Sequence, residues 1–365
     1  MTDTSTQSLF SEISLGSLQL PNRLVMAPLT RLRADERGVP TDIMVEHYAQ
    51  RASLGLIVTE GTWPTIEGRT WIGQPGIETD EHVAGWRRVT DAVHAAGGRI
   101  FMQIMHGGRI SHELLTGTGR IVAPSAVAAP DPIRTPEGKA DAPVPHALEV
   151  EEITEVIAGF VKAAQNAIDA GMDGVQIHGA NGYLLHQFTS PTSNQRTDAY
   201  GGSPQNRAKL SIEVARAVAE RIGGERTSIR LSPQHNIQGA LETDDADALA
   251  TYEALAAGLA PLGLAFVDVL SANPAGELVQ TIRRLAQAPL VLNTGFGEQT
   301  TRQQATGLLE SGAADAVAVG RAAIANPDLV HRWSQDLAEN AADPTTFYVG
   351  EQAGYTDYPT FAELN

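Results

Sequence analysis

Two glycine turns carry the first chemical signal in this sequence. Gly295-Phe296-Gly297 and Gly320-Arg321 each follow a short apolar run. Glycine lets backbone N–H groups approach a phosphate, and an arginine adds a charged fork, so together they read as a phosphate cradle. Two ordinary turns are the plain alternative. Ahead of them, polar residues recur at or just past the ends of other apolar runs: Thr30, Glu60-Gly61, Gln103 with His106, His178 with Asn181 and Tyr183, Arg230, and Ser271 with Asn273. These are mostly hydrogen-bonding groups. No lysine stands among them, since the lysines are Lys139, Lys162 and Lys209, so Schiff-base chemistry has no nucleophile there. No facing carboxylate pair fits glycoside hydrolysis, and no H-x-H pair or histidine–carboxylate cluster fits a metal. Such a set suits a cofactor that brings its own chemistry. Singly, each residue also has a plain reading: His178 a capped strand-end histidine, Tyr183 a packed aromatic, Arg230 half of a core ion pair.

The elements that must position these residues alternate regularly. β-rich apolar runs occupy Leu24–Ala27, Leu56–Glu60, Arg99–Met105, Gly174–His178, Ser228–Ser232, Ala265–Leu270, Leu290–Thr294 and Ala316–Gly320. Between them fall helical patterns: Thr41–Leu54, Val83–Ala96, Ile153–Ala170, Asn206–Ile222, Asp244–Leu262, Glu277–Ala286 and Thr300–Ser311, with an eighth from Asp328. Ser203-Pro204 is a start signal, an N-cap serine with proline at N1. Eight alternations predict one (βα)8 TIM barrel over residues 1–365 rather than an open eight-stranded sheet. In such barrels chemistry sits at the C-terminal strand ends, where the polar residues lie. The surplus length is a Gly/Pro/Ala-rich insertion after strand 3, roughly His106 to Leu148, and a tail after Arg321. The insertion is a candidate lid.

Composition excludes several classes. Net charge is −17, which repels nucleic acid and anionic membranes. There is no cysteine, hence no disulfide, thiolate metal site or iron–sulfur cluster. The polar stretch from Met1 to Phe10 lacks a signal-peptide pattern, and no run of eighteen apolar residues occurs. A cytoplasmic protein is expected. Gly117-Thr118-Gly119 lacks the third glycine of a dinucleotide fingerprint and follows no strand.

Longer blocks make the chain recognisable. Pro21-Asn22-Arg23 through Met26-Ala27-Pro28-Leu29-Thr30-Arg31, His178-Gly-Ala-Asn181-Gly-Tyr183-Leu-Leu-His186-Gln187-Phe188 and Ser190 to Asp198 resemble the old yellow enzyme family. So do Tyr200-Gly-Gly-Ser203 with Asn206-Arg207, Arg230-Leu-Ser-Pro233, Gly320-Arg321 and Gly354-Tyr355-Thr-Asp357-Tyr358-Pro359. The resemblance spans nearly the whole chain in order. It implies tight noncovalent FMN with NAD(P)H as a transient hydride donor. Pro28, Leu29 and Gly61 would lie against the flavin, Thr30 at its O4/N5 edge, Gln103 at the pyrimidine edge and Arg230 at the N1/O2 side. Gly295, Phe296, Gly297, Gly320 and Arg321 would hold the phosphate. His178 and Asn181 would bind the substrate carbonyl, Tyr183 would donate the proton, and Trp71, Phe347 and Tyr348 would line the pocket. Asn181 stands where many bacterial relatives have histidine, Met105 where some have tryptophan, and Thr30 where another subgroup has cysteine. Asn293-Thr294-Gly295-Phe296-Gly297 is an unusual version of its turn.

The resemblance implies an ene-reductase with a ping-pong cycle, acting on α,β-unsaturated ketones, aldehydes, maleimides or nitroalkenes. Its partners would be that substrate and the nicotinamide donor, with the chain a monomer or homodimer. Reduction of nitrate esters or nitroaromatics is an alternative on the same scaffold. A non-redox phosphate-binding isomerase or lyase is another, and so is a flavin-binding protein without turnover.

Overall fold

Each apolar run becomes a strand buried along its length, as expected where both faces of a parallel sheet are covered. The computed structural model describes residues 8–297 and 299–364. The first seven residues of the polar N-terminal stretch, on which the expectation of no signal peptide partly rests, lie outside them. The strands are β1 (Leu24–Met26), β2 (Leu56–Val58), β3 (Ile100–Ile104), β4 (Gly174–Gly179), β5 (Thr227–Leu231), β6 (Phe266–Leu270), β7 (Leu290–Asn293) and β8 (Ala316–Val319). All pair in parallel with their sequence neighbours, and β8 pairs with β1 to close an eight-stranded barrel. The helices between them are α1 (Asp42–Gln50), α2 (Asp80–Ala95), α3 (Val150–Asp169), α4 (Pro204–Ile222), α5 (Asp245–Leu259), α6 (Glu277–Ala286), α7 (Arg302–Glu310) and α8 (Leu329–Ser334). Ser203 caps α4, its hydroxyl accepting from Asn206 N at 3.3 Å. Strand and helix positions follow the sequence expectation, with ends moved by a few residues.

The core has two parts. Side chains between strands and helices form one continuous apolar layer. Inside the barrel, Phe101 and Phe266 pack at 5.7 Å, and a hairpin of Ile13–Leu15 and Leu18–Leu20 plugs the N-terminal end with Leu15 and Leu20. That hairpin has too few residues to show an alternating pattern in the sequence. The upper interior is polar instead, so the barrel separates a dry base from a hydrogen-bonding mouth. Residues 106–148 fold over that mouth with the short hairpin Ile133–Thr135 and Gly138–Ala140. Among the described residues no helix is long and apolar enough to cross a membrane.

Candidate active site

The turn that follows β4 gathers three of the expected residues. His178 is the penultimate residue of the strand, paired in register with Arg230. Its Nδ1 accepts from Ala180 N at 3.2 Å, which assigns the proton of the neutral ring to Nε2. Burial, reinforced by Arg230 and His186, holds the imidazole pKa well below its ordinary value, so the ring is a neutral donor at physiological pH. Asn181 adopts φ +56°, a left-handed conformation asparagine tolerates. Its N–H donates to Ser232 Oγ at 2.8 Å, and its carbonyl accepts from Gln238 Nε2 at 2.7 Å. Its Oδ1 is buried without a partner among the described residues, so the amide is not satisfied by the protein alone.

Tyr183 follows Gly182, whose N–H donates to His186 Nδ1 at 2.9 Å. The Tyr183 ring meets His178 edge-on at 5.0 Å. Burial pushes the phenol pKa up, opposed by the Gln238 and Trp71 side chains that face its hydroxyl. The phenol therefore holds its proton at neutral pH. The half-buried Trp71 presents a buried Nε1 that is short of hydrogen-bond geometry. Behind the turn, His186 Nε2 lies 3.2 Å from Glu242 Oε1, both buried.

Beneath this turn a polar row crosses the barrel interior. Gln103 Nε2 donates to Gln176 Oε1 at 2.8 Å, and Gln176 Nε2 donates to Asp268 Oδ2 at 3.1 Å. Arg230 Nη1 pairs with the same Asp268 oxygen. Gly61 closes one end: an added Cβ would sit 2.7 Å from Met105 Sδ and 3.5 Å from Gln103 Oε1. Glycine here lets the Met105 side chain pack directly against the backbone.

Pro28, Leu29 and Thr30 form a half-buried rim after β1. Glu60 anchors it, its Oε2 accepting from the N–H groups of Arg31 at 3.0 Å and Leu32 at 2.9 Å. Arg31 Nε donates to Phe347 O at 3.0 Å, and Arg33 Nη1 to the same carbonyl at 2.9 Å. These bonds strap the tail over the mouth, with Phe347 half-buried and Tyr348 exposed. Tyr355 stacks on His47 at 3.9 Å and holds the strap from below.

The two glycine turns meet next to this rim, since β8 pairs with β1. Asn293 Nδ2 donates to Ala318 O at 2.8 Å, and its Oδ1 accepts from Gly295 N at 3.2 Å, tying the ends of β7 and β8 together. Arg321 Nη2 donates to Phe296 O at 2.7 Å. A Cβ on Gly320 would sit 3.3 Å from Leu29 Cδ2, whereas one on Gly297 would meet nothing within 4 Å. A cleft of about 510 Å³ runs along Gly295 and Gly297 towards His235.

The structure thus places the expected residues around one end of the barrel. The insertion covers them through Ile110, Leu115, Ala129 and Ile133, which cluster with Met105 and Tyr183. Gln176 and Asp268 go unnoticed when only strand ends are read, although a polar side chain inside an apolar run is a visible signal. Ser232, Gln238 and Arg109 carry no local signal. Among the described residues no group of histidine, cysteine and carboxylate side chains could hold a metal.

Residues 8–340 match the model of the NADH:flavin oxidoreductase / NADH oxidase family. The chain is 45% identical over 366 residues to a probable flavin mononucleotide-dependent alkene reductase of Leishmania infantum, covering 97% of this chain and 98% of that protein. It is 37% identical to 12-oxophytodienoate reductase 7 of Oryza sativa subsp. japonica, covering 96% and 94%. Among solved structures, the old yellow enzyme homologue from Zymomonas mobilis aligns with a TM-score of 0.92 at 41% identity, covering 97% of this chain and all of that one. Morphinone reductase aligns with a TM-score of 0.92 at 40% identity, covering 100% and 99%.

Proposed function

The chain belongs to the NADH:flavin oxidoreductase / NADH oxidase family, with old yellow enzymes among its homologues, and from this premise we propose how its residues carry out an FMN-dependent, NAD(P)H-driven reduction of activated carbon–carbon double bonds. The observation that carries the reading is the turn after β4. It sets a neutral His178, the Asn181 amide and a protonated Tyr183 together above a polar barrel interior.

The residues present fit the cofactor. Gly61 brings no side chain to its end of the polar row, Gln103 stands beside it as a polar partner, and Arg230 supplies a buried cation further along. The chemistry supplied by bound FMN is two-electron transfer, with hydride taken from NAD(P)H and given to the alkene. Pro28, Leu29 and Gly61 would form the seat, Thr30 and Gln103 would bind the cofactor's polar edge, and Arg230 would stabilise the negative charge it gains on reduction. Gly295, Phe296, Gly297, Gly320 and Arg321 would hold the phosphate, with Arg321 able to exchange its bond to Phe296 O for a charge-assisted one.

His178 Nε2–H and the Asn181 amide both donate to the substrate carbonyl oxygen. They withdraw electron density from the β-carbon and stabilise charge that builds on the oxygen, as an oxyanion hole does. Tyr183 delivers a proton to the α-carbon. Trp71, Phe347 and the insertion exclude water around it. The test is the visible spectrum of the pure protein under anaerobic conditions. A flavin spectrum that NADPH bleaches and cyclohexenone restores is expected, and a colourless protein would overturn the assignment.

A further inference from the structure

We propose that Gln238, on the loop after β5, is a positioning residue that holds the Asn181–Tyr183 turn in the geometry from which Tyr183 delivers its proton. The inference rests on the reading of Tyr183 as proton donor and adds a residue to it.

Gln238 reaches the turn in two ways. Its Nε2 donates to the Asn181 carbonyl at 2.7 Å. Its own Cβ lies 2.8 Å from where a Cβ on Gly182 would stand, and Ile237 O is equally close, so the loop is pressed against the residue preceding Tyr183. Gly182 needs no side chain there and takes φ +77°. The bond to a carbonyl fixes the amide orientation: the nitrogen must face Asn181 O, because oxygen there would be repelled.

The loop holds an uncommon conformation to achieve this. Gln234, Asn236 and Gln238 have φ of +56°, +50° and +57°, the left-handed region that non-glycine residues seldom occupy. Such conformations persist where surroundings over-determine them. Here Gln234 N donates to Glu242 Oε2 at 2.7 Å, Asn236 Oδ1 accepts from Glu242 N at 2.6 Å, and Arg109 Nη2 donates to Gln238 O at 3.2 Å. Arg109 also donates to Val127 O at 3.1 Å, so the insertion and this loop share one anchor. The Gln238 side chain also faces the Tyr183 hydroxyl and favours its anionic form, as a donor would. A donor on the phenol oxygen would leave the phenol's own proton free to point elsewhere.

A double-mutant cycle tests this in the flavin-loaded enzyme, following reoxidation by cyclohexenone in stopped flow. Gln238→Met keeps length and removes the donor. It is expected to slow reoxidation about tenfold in the wild-type background and clearly less in Tyr183→Phe, since the share of its effect that acts through the proton donor is then gone and only the share that acts through Asn181 remains. Equal slowing in both backgrounds, or none in either, would overturn the proposal. Gln238→Glu serves as the second variant should Gln238→Met misfold. Its rate relative to wild type is expected to rise as pH falls and the carboxyl regains a proton to donate, whereas a pH-independent ratio would count against the proposal. If Tyr183→Phe alone leaves enone reoxidation unchanged, the proton-donor reading fails and this one with it. Silence of Gln238→Met beside a slow Tyr183→Phe sinks the Gln238 role alone.

Discussion

Arg230 and Asp268 face each other in register on β5 and β6 and form an ion pair closed to solvent, 3% and 0% exposed. Asp268 Oδ1 has no partner among the described residues. Burial pushes the Asp268 carboxyl up from its usual range while Arg230 pulls the other way. The pair places a guanidinium in the polar row proposed to lie under the cofactor, and Gln176 links it to Gln103.

Removing one partner should be costly. Asp268→Asn leaves a buried guanidinium unpaired, and the apo protein should lose about 3–5 kcal/mol of stability, read from urea unfolding. Replacing both, as Arg230→Met with Asp268→Leu, should destabilise by less than either single change, since no buried charge remains. Simple additivity of the two single losses would show that the pair is not isolated from water.

Acid should weaken the fold through His106. Burial lowers its pKa from 6.5 to about 4 in the folded protein. Above the unfolded value both states are neutral, and the contribution is intact. As pH falls from 6.5 towards 4 the unfolded chain takes up a proton that the folded one refuses, so stability is lost by about 3 kcal/mol across that window. His106→Asn keeps an acceptor for the Gly108 N–H, which His106 Nδ1 now accepts at 3.1 Å. Its urea midpoint should fall correspondingly less between those pH values. An identical pH slope in both proteins would remove His106 from the account.

Arg321 should govern how tightly the cofactor phosphate is held. Among the described residues its guanidinium reaches only Phe296 O, so it can turn to a phosphate without breaking an ion pair to any of them. Arg321→Ala should weaken FMN binding by about 1.5–3 kcal/mol, the scale of a hydrogen bond to a charged group. Fluorescence titration of apo protein with FMN and with riboflavin separates the contributions. Equal weakening for both flavins would mean that Arg321 does not touch the phosphate.

Much of this site is legible in the sequence because parallel strands announce themselves. A buried strand needs an apolar run, so a polar residue at its end stands out, as His178, Gln103 and Arg230 do. Family resemblance supplies the roles that pattern cannot. What stays hidden is what only closure brings together: Arg109 from the insertion and Gln238 after β5 are remote in sequence from the turn after β4 that they support, and carry no periodic signal. The N-terminal hairpin is hidden for another reason. Three-residue strands are too short for alternation to rise above chance.

Tyr183→Phe separates the two halves of the cycle. The hydroxyl acts only when the α-carbon takes its proton, after NADPH has already bleached the flavin. Anaerobic bleaching should therefore proceed near the wild-type rate. Reoxidation by cyclohexenone should slow by roughly 10²–10⁴, the usual contribution of a positioned general acid. A nitroalkene, which can leave as a stabilised nitronate and take its proton later from water, should be affected much less. The ring itself stays in place, because its place in the apolar cluster with Met105 and Ile133 and its edge-on contact with His178 do not involve the hydroxyl. Loss of the hydroxyl removes the group that Gln238 and Trp71 face, yet the Gln238 bond to Asn181 O survives, so the carbonyl-binding pair should keep its geometry. A tyrosine that served packing alone would give a different pattern, with both half-reactions and the melting temperature moving together and no dependence on acceptor. Enone reoxidation within about threefold of wild type would mean that the α-carbon proton comes from elsewhere.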